Sequence, residues 1–133
     1  MSSPYYFQIP TQIIYGRDSS TGIGKIANNL AVKKPLVVTD SGVARSGTLD
    51  SVLAPLREAG LEPDVFDEVE PNPTIQTVDK AAARYASKGC DGVIAVGGGS
   101  ALDTGKGAGV LATNPGSAAD YLGIPHAPLG HQP

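Results

Sequence analysis

The stretch that most constrains this chain is Gly97-Gly98-Gly99-Ser100. Before it runs an apolar segment, Gly92-Val93-Ile94-Ala95-Val96, and after it a helical pattern starts at Ala101. Strand, glycine turn and helix start in direct succession leave backbone N–H groups unpaired at the positive end of a helix dipole, a ready cradle for a phosphate. Glycine lets that backbone approach an anion with no side chain in the way. The segments upstream then read as scaffold, or as a second wall of a nucleotide cleft.

Glycine turns serve several chemistries, and two of them fail on the residues. The P-loop pattern needs Ser or Thr after Gly105-Lys106, where Gly107 stands, and an earlier Gly where Ser100 stands. The hydrolase nucleophile elbow needs Gly at Leu102, so Ser100 is a poor nucleophile candidate. A rival turn, Gly22-Ile23-Gly24-Lys25-Ile26-Ala27, matches the dinucleotide pattern G-x-G-x-x-A, with Asp40 a suitable distance beyond. That pattern should follow its strand directly, whereas Arg17 to Thr21 intervene here; the plainer reading is a turn and a close helix contact. Ser100 and Asp103 also fit a plain capping pair at a helix start, and Asp103 with Lys106 a surface ion pair. Capping leaves Gly105, Gly107 and Gly109 unexplained, since each costs a helix up to about 1 kcal/mol relative to Ala. Packing or ligand approach must compensate.

Along the chain, strand and helix patterns alternate four times. Tyr5–Ile9 and Gln12–Tyr15 read as two short strands, with Pro10 restricting the first to an edge. Gly22–Ala31 has helical spacing. Pro35–Asp40 is a compact apolar run ending in a polar pair, the profile of a buried parallel strand, and Ser41-Gly42 starts a turn. Thr48–Ala59 is a helix with Pro55 inside it, which should kink it or displace its start at about 3 kcal/mol if unrelieved. Pro63–Phe66 is a weaker strand, and Glu70 to Thr74 a stiff loop. Thr74 then caps a helix running to Lys88. Cys90, the single cysteine, reads as a buried, inert thiol before the strand Gly92–Val96. A helix then runs to about Thr113.

This alternation predicts an α/β class fold, a Rossmann-like parallel sheet with flanking helices and right-handed crossovers. Ligands of such sheets bind at the carboxyl ends of the strands. Asp40, the Asn72 loop and Gly97–Ser100 all follow predicted strands, so all three should gather on one edge. The formal net charge of -3 argues against nucleic acid or an anionic membrane as partner. No apolar stretch reaches the roughly 20 residues of a membrane span. The N-terminus lacks signal-peptide regions, and a lone cysteine fits a reducing, cytoplasmic compartment. His126 and His131 make a poor metal pair, in a Pro-rich tail without an acidic partner.

The run Gly97-Gly98-Gly99-Ser100-Ala101-Leu102-Asp103-Thr104-Gly105-Lys106, after a buried strand and a Pro71-Asn72-Pro73-Thr74 loop, resembles the iron-containing (group III) alcohol dehydrogenases. That family includes lactaldehyde reductase and butanol dehydrogenase. Ile14-Tyr15-Gly16, Val38-Thr39-Asp40 and Asn114-Pro115 extend the match, which covers about Phe7 to Gly123. The resemblance implies the N-terminal, dehydroquinate synthase-like cofactor domain over residues 1–123 and an irregular tail over 124–133. It implies that Gly97, Gly98, Gly99 and Ser100 hold the pyrophosphate of NAD, or of NADP. Asp40 would bond the adenosine ribose and favour NAD, Asn72 would line the cleft, and Asp103 would lie toward the nicotinamide. Family members bind Fe²⁺ or Zn²⁺ through one Asp and three His of a C-terminal helical domain. That domain has no counterpart in these residues, so the chain reads as truncated and inactive alone. In the full-length enzyme the substrate would be a small alcohol or aldehyde, and a homo-oligomer is compatible. Two other readings stay open: a non-catalytic dinucleotide-binding module, and a fragment of a glycerol dehydrogenase or dehydroquinate synthase-like enzyme.

Overall fold

A computed structural model describes residues 9–122. Three parallel strands, β1 (Pro35–Asp40), β2 (Asp64–Val69) and β3 (Gly92–Val96), form one sheet in the order β2-β1-β3. The helices are α1 (Ile23–Asn29), α2 (Ser41–Arg45), α3 (Asp50–Glu58), α4 (Ile75–Lys88) and α5 (Gly99–Thr113), with short 3-10 turns at Ser19–Gly22 and Ala118–Tyr121.

Two apolar clusters sandwich the sheet, and the alternation of side chains along the central strand divides them. Val37 packs with Ala27 of α1 and with Val52, Leu53 and Leu56 of α3. Its neighbours Leu36 and Val38 point the other way, toward Phe66, Ala81 of α4 and Ala108 of α5. All three are fully buried, which stabilises the fold by about 1.5–3 kcal/mol each. The result is a three-layer α/β/α sandwich in which β1 reads as a continuous apolar run because both its faces are covered.

Local chemistry explains where elements begin and stop. Thr74 caps α4 by accepting from the Thr77 N–H, and Gly89, at φ 65°, ends it in the left-handed conformation that glycine adopts freely. Arg84 of α4 forks onto Asp64 of β2, and this pairing raises the guanidinium above its usual value. Pro55 lies inside α3 and removes a donor for the Ser51 carbonyl; Ser51 is exposed, so water can take its place. A β-carbon on Gly24 would meet the Pro55 carbonyl and, at 2.6 Å, the Ala59 β-carbon. The Gly22–Ala27 turn therefore serves the close contact of α1 with α3.

The structure corrects several expectations. Gln12–Tyr15 is not a strand: it is irregular, and Ile13, Ile14 and Tyr15 are largely exposed. This short apolar run has no strand to pair with among the described residues. Of the Tyr5–Ile9 strand only Ile9 is described, and it is irregular. Ser41-Gly42 opens a short helix rather than a plain turn, and β2 extends three residues past Phe66. The tail over 124–133 and the boundary before it lie outside the described residues.

Candidate cofactor site

The strand order places the site. From β1 the chain passes to β2 on one side of it, then returns across the sheet to β3 on the other. The order reverses between β1 and β3, and a crevice opens at such a point beyond the carboxyl ends of the strands. Asp40 ends β1 and Gly97 follows β3, so these two residues flank that crevice. Asn72 follows β2 by three residues, on the same edge of the sheet. All three expected segments thus sit at carboxyl ends of strands.

Asp40 uses one carboxylate oxygen structurally. Its Oδ1 accepts from the Val43 N–H at 2.9 Å and caps α2, while Oδ2 points toward Gly97. Gly97 has φ 143°, outside what side-chain-bearing residues readily adopt. A β-carbon there would stand 3.1 Å from that of Ala101 and 3.3 Å from Asp40 Oδ2. Its glycine is therefore required by backbone and by space.

Gly98 and Gly99 differ. Neither has a positive φ, and a β-carbon on either would meet nothing within 4 Å. Both are exposed. Fold and packing leave these two glycines unaccounted for, whereas an anion lying on the backbone accounts for both. Their N–H groups stand at the first turn of α5, where no side-chain cap satisfies them. The residues present thus fit a dinucleotide pyrophosphate.

Ser100 is not the cap expected of it. The cap position is Gly98, so Ser100 is the second residue of the helix. Its carbonyl accepts from the buried Thr104 hydroxyl at 2.8 Å, and its own hydroxyl has no partner among the described residues. Asp103 is exposed further along α5 and forms no ion pair with Lys106. Asn72 is exposed at φ 56°, a left-handed conformation that Asn tolerates, and makes no hydrogen bond among the described residues. The structure thus brings Asp40 and the turn together but adds no contact that ties Asn72 or Asp103 to them.

Of the three glycines beyond the first turn of α5, two have packing reasons. A β-carbon on Gly105 would come within 2.8 Å of the Ala95 β-carbon, and one on Gly107 within 2.6 Å of Val78 Cγ1. These glycines let α5 lie close on β3 and α4. Gly109 has no such neighbour.

Sequence reasoning missed Thr39. It is fully buried at the end of an apolar strand, and its hydroxyl donates to the Val96 carbonyl at 2.7 Å, just before the turn. Its only signal in sequence was a hydroxyl where an apolar residue would bury more favourably.

A concavity lies elsewhere. It has a volume of about 660 Å³ and is lined mainly by apolar residues of α1 and β3, among them Ile23, Ile26, Leu30 and Ile94. Its one carboxylate among the described residues, Asp91, already accepts from the Lys33 and Lys34 N–H groups. Among the described residues no group of three or more His, Cys, Asp and Glu side chains is placed to hold a metal ion. Both histidines lie outside those residues. Cys90 is buried, and burial raises its thiol above the ordinary value, which keeps it protonated and unreactive at neutral pH. No described helix is long and apolar enough to cross a membrane.

Comparison with known proteins agrees with this geometry. Choline dehydrogenase of Bacillus subtilis is 42% identical over 121 residues, 91% of this chain and 30% of that protein. The NADH-dependent butanol dehydrogenase A of Thermotoga maritima superposes with a TM-score of 0.83 at 30% identity, covering 88% of this chain and 30% of that one. Sulfoacetaldehyde reductase of Bifidobacterium kashiwanohense, solved in complex with NAD⁺, gives 0.85 at 26% identity, covering 97% and 34%. The chain thus spans about a third of the length of these proteins. The family model for iron-containing alcohol dehydrogenases matches residues 10–132, and with the sheet and turn described above this chain belongs to that family.

Proposed function

We propose that this chain is the cofactor-binding part of an NAD-dependent, iron-containing alcohol dehydrogenase, with residues 1–123 as the cofactor domain. The parent reaction is reversible hydride transfer between a small primary or secondary alcohol and NAD⁺. The observation that carries the reading is Gly98-Gly99, two glycines without a backbone or packing reason, at the crevice between β1 and β3. In this reading their N–H groups and the α5 dipole hold the pyrophosphate, and the Ser100 hydroxyl supplies a further contact. Asp40 Oδ2 accepts from the adenosine ribose, where its charge repels a 2′-phosphate, and so favours NAD over NADP. Asn72 lines the cleft and Asp103 faces the nicotinamide side.

Bound NAD⁺ supplies the hydride acceptor; this chain's residues bind and orient it. No catalytic acid, base or metal ligand is assigned to them, and Fe²⁺ or Zn²⁺ belongs to the longer enzymes of the family. The NAD⁺ complex of the sulfoacetaldehyde reductase supports the choice of cofactor. A buried free thiol as the only cysteine fits a cytoplasmic location.

Calorimetric titration of the purified chain with NAD⁺, NADP⁺ and pyrophosphate tests the reading. The expected result is binding of NAD⁺ in preference to NADP⁺, with pyrophosphate competing. A chain that is folded by circular dichroism yet binds none of the three would overturn it.

A further inference from the structure

Thr39 and Val96 are the last paired residues of the β1–β3 ladder. The Thr39 side chain is completely buried, and its hydroxyl donates to the Val96 carbonyl. A buried hydroxyl in an apolar strand is unfavourable unless it is bonded, and valine would fill the same space without that requirement. What the hydroxyl does depends on the group it holds. The carbonyl of Val96 and the N–H of Gly97 belong to one peptide unit, and that unit is planar and trans. Fixing the oxygen therefore fixes the direction of the Gly97 N–H, which points the opposite way.

We propose that Thr39 is a positioning residue for the glycine turn: by holding the Val96 carbonyl it sets the orientation of the Val96–Gly97 peptide, from which the chain enters the Gly98 and Gly99 donors. Gly97 has no side chain to steady this peptide, and its φ of 143° lies where glycine moves freely. Asp40 and Ala101 limit the space around its α-carbon, and the Thr39 hydroxyl sets the rotation of the peptide before it. The effect on cofactor binding rests on the function proposed above; the effect on the peptide does not.

The test uses Thr39→Val, which keeps the shape and loses the donor, and Thr39→Ser, which keeps the donor. Residual dipolar couplings of backbone N–H groups report their orientation without any ligand, and calorimetry with NAD⁺ reports affinity. In Thr39→Val the Gly97 coupling changes while those of β1 and α5 stay, and affinity for NAD⁺ falls roughly tenfold. Thr39→Ser restores both to near wild type, which loss of packing alone would not do. An unchanged Gly97 coupling in Thr39→Val overturns the proposal. Should Thr39→Val not fold by circular dichroism, Thr39→Ala gives the same reading by the same criteria. If the wild-type chain fails to bind NAD⁺, the cofactor reading falls, and the Gly97 coupling still decides the role of Thr39.

Discussion

Asp40 and Gly97 meet across the ends of β1 and β3, with the Asp40 Oδ2 3.3 Å from where a β-carbon on Gly97 would stand. This proximity joins the two halves of the candidate site, the carboxylate that would face the ribose and the turn that would carry the pyrophosphate. It also gives Asp40 two tasks, because its other oxygen caps α2.

The double role shapes the test of cofactor choice. Asp40→Gly removes the charge but also the cap, and so confounds affinity with local order. Asp40→Asn keeps an oxygen for the Val43 N–H and removes only the charge. We expect Asp40→Asn to bind NADP⁺ more tightly and NAD⁺ somewhat less, with unfolding temperature near wild type. Asp40→Ala should lose about 1 kcal/mol of stability as a missing cap. Titration with both cofactors and thermal unfolding separate the two effects, and an unchanged preference in Asp40→Asn moves the ribose contact elsewhere.

Gly97 itself should tolerate no side chain. Gly97→Ala places a β-carbon 3.1 Å from that of Ala101, at a φ that L-residues avoid. The expected loss is about 1–3 kcal/mol, read as a lower midpoint in urea. A midpoint equal to wild type would mean that the turn relaxes to another conformation.

The framework was legible because its signals were local. Pro35–Asp40 and Gly92–Val96 are apolar runs bounded by turn residues, and the helix from Thr74 to Gly89 has its cap, its spacing and its stop in sequence. What failed depended on partners. Gln12–Tyr15 has the apolar composition of a short strand, but a strand exists only when something pairs with it, and nothing does among the described residues. The end of β2 was hidden because Asp67 and Glu68 face solvent, and polar residues near an edge resemble a loop. At the site, the convergence of Asp40 with the glycine turn followed from topology alone. The cap at α5 did not: the chain turns helical at Gly99, and the serine that resembled a cap is already inside the helix. Thr39 looked like the polar close of a strand, and only the register with Val96 reveals what its hydroxyl reaches.

Asp79 of α4 ties down the segment after α5. Its carboxylate accepts from the Ala118 N–H at 2.8 Å and the Ser117 hydroxyl at 2.6 Å, and these bonds lower it below its ordinary value of 3.8. A lowered value in the folded state means the contribution is present above the unfolded value and is lost as pH falls through the folded one. Asp79→Ala should therefore be less stable than wild type at neutral pH, and the gap should close as pH drops below about 4. Urea unfolding of both proteins across that range measures it; a gap independent of pH would mean that the charge of Asp79 contributes nothing.

The glycines inside α5 should separate sharply. Gly105→Ala and Gly107→Ala force new β-carbons onto Ala95 and Val78, at 2.8 Å and 2.6 Å, and overpacking of this kind destabilises by about 1–3 kcal/mol. Gly109→Ala meets nothing within 4 Å, so the better helix propensity of alanine should stabilise the chain by about 0.5–1 kcal/mol. Thermal unfolding of the three variants checks the order. A stabilising Gly107→Ala would show that Val78 yields easily and that α4 and α5 are not in forced contact.

The decisive variant for the turn is Gly98→Val. The backbone there, at φ -84° and ψ -166°, suits a β-branched residue, and no atom stands within 4 Å of the new β-carbon. Folding should therefore be nearly unaffected, which makes the binding result clean. The new side chain occupies the space in which a pyrophosphate would approach the Gly98 and Gly99 N–H groups, so affinity for NAD⁺ should fall below detection. Ser100→Ala offers the complementary measurement. Its hydroxyl has no partner among the described residues, so its loss should leave stability within about 0.5 kcal/mol, while affinity drops by one phosphate contact. Calorimetry and thermal unfolding on both variants give the four numbers needed. If Gly98→Val unfolds as wild type and also binds NAD⁺ as wild type, the phosphate does not lie on this turn, and two exposed glycines are left without a purpose.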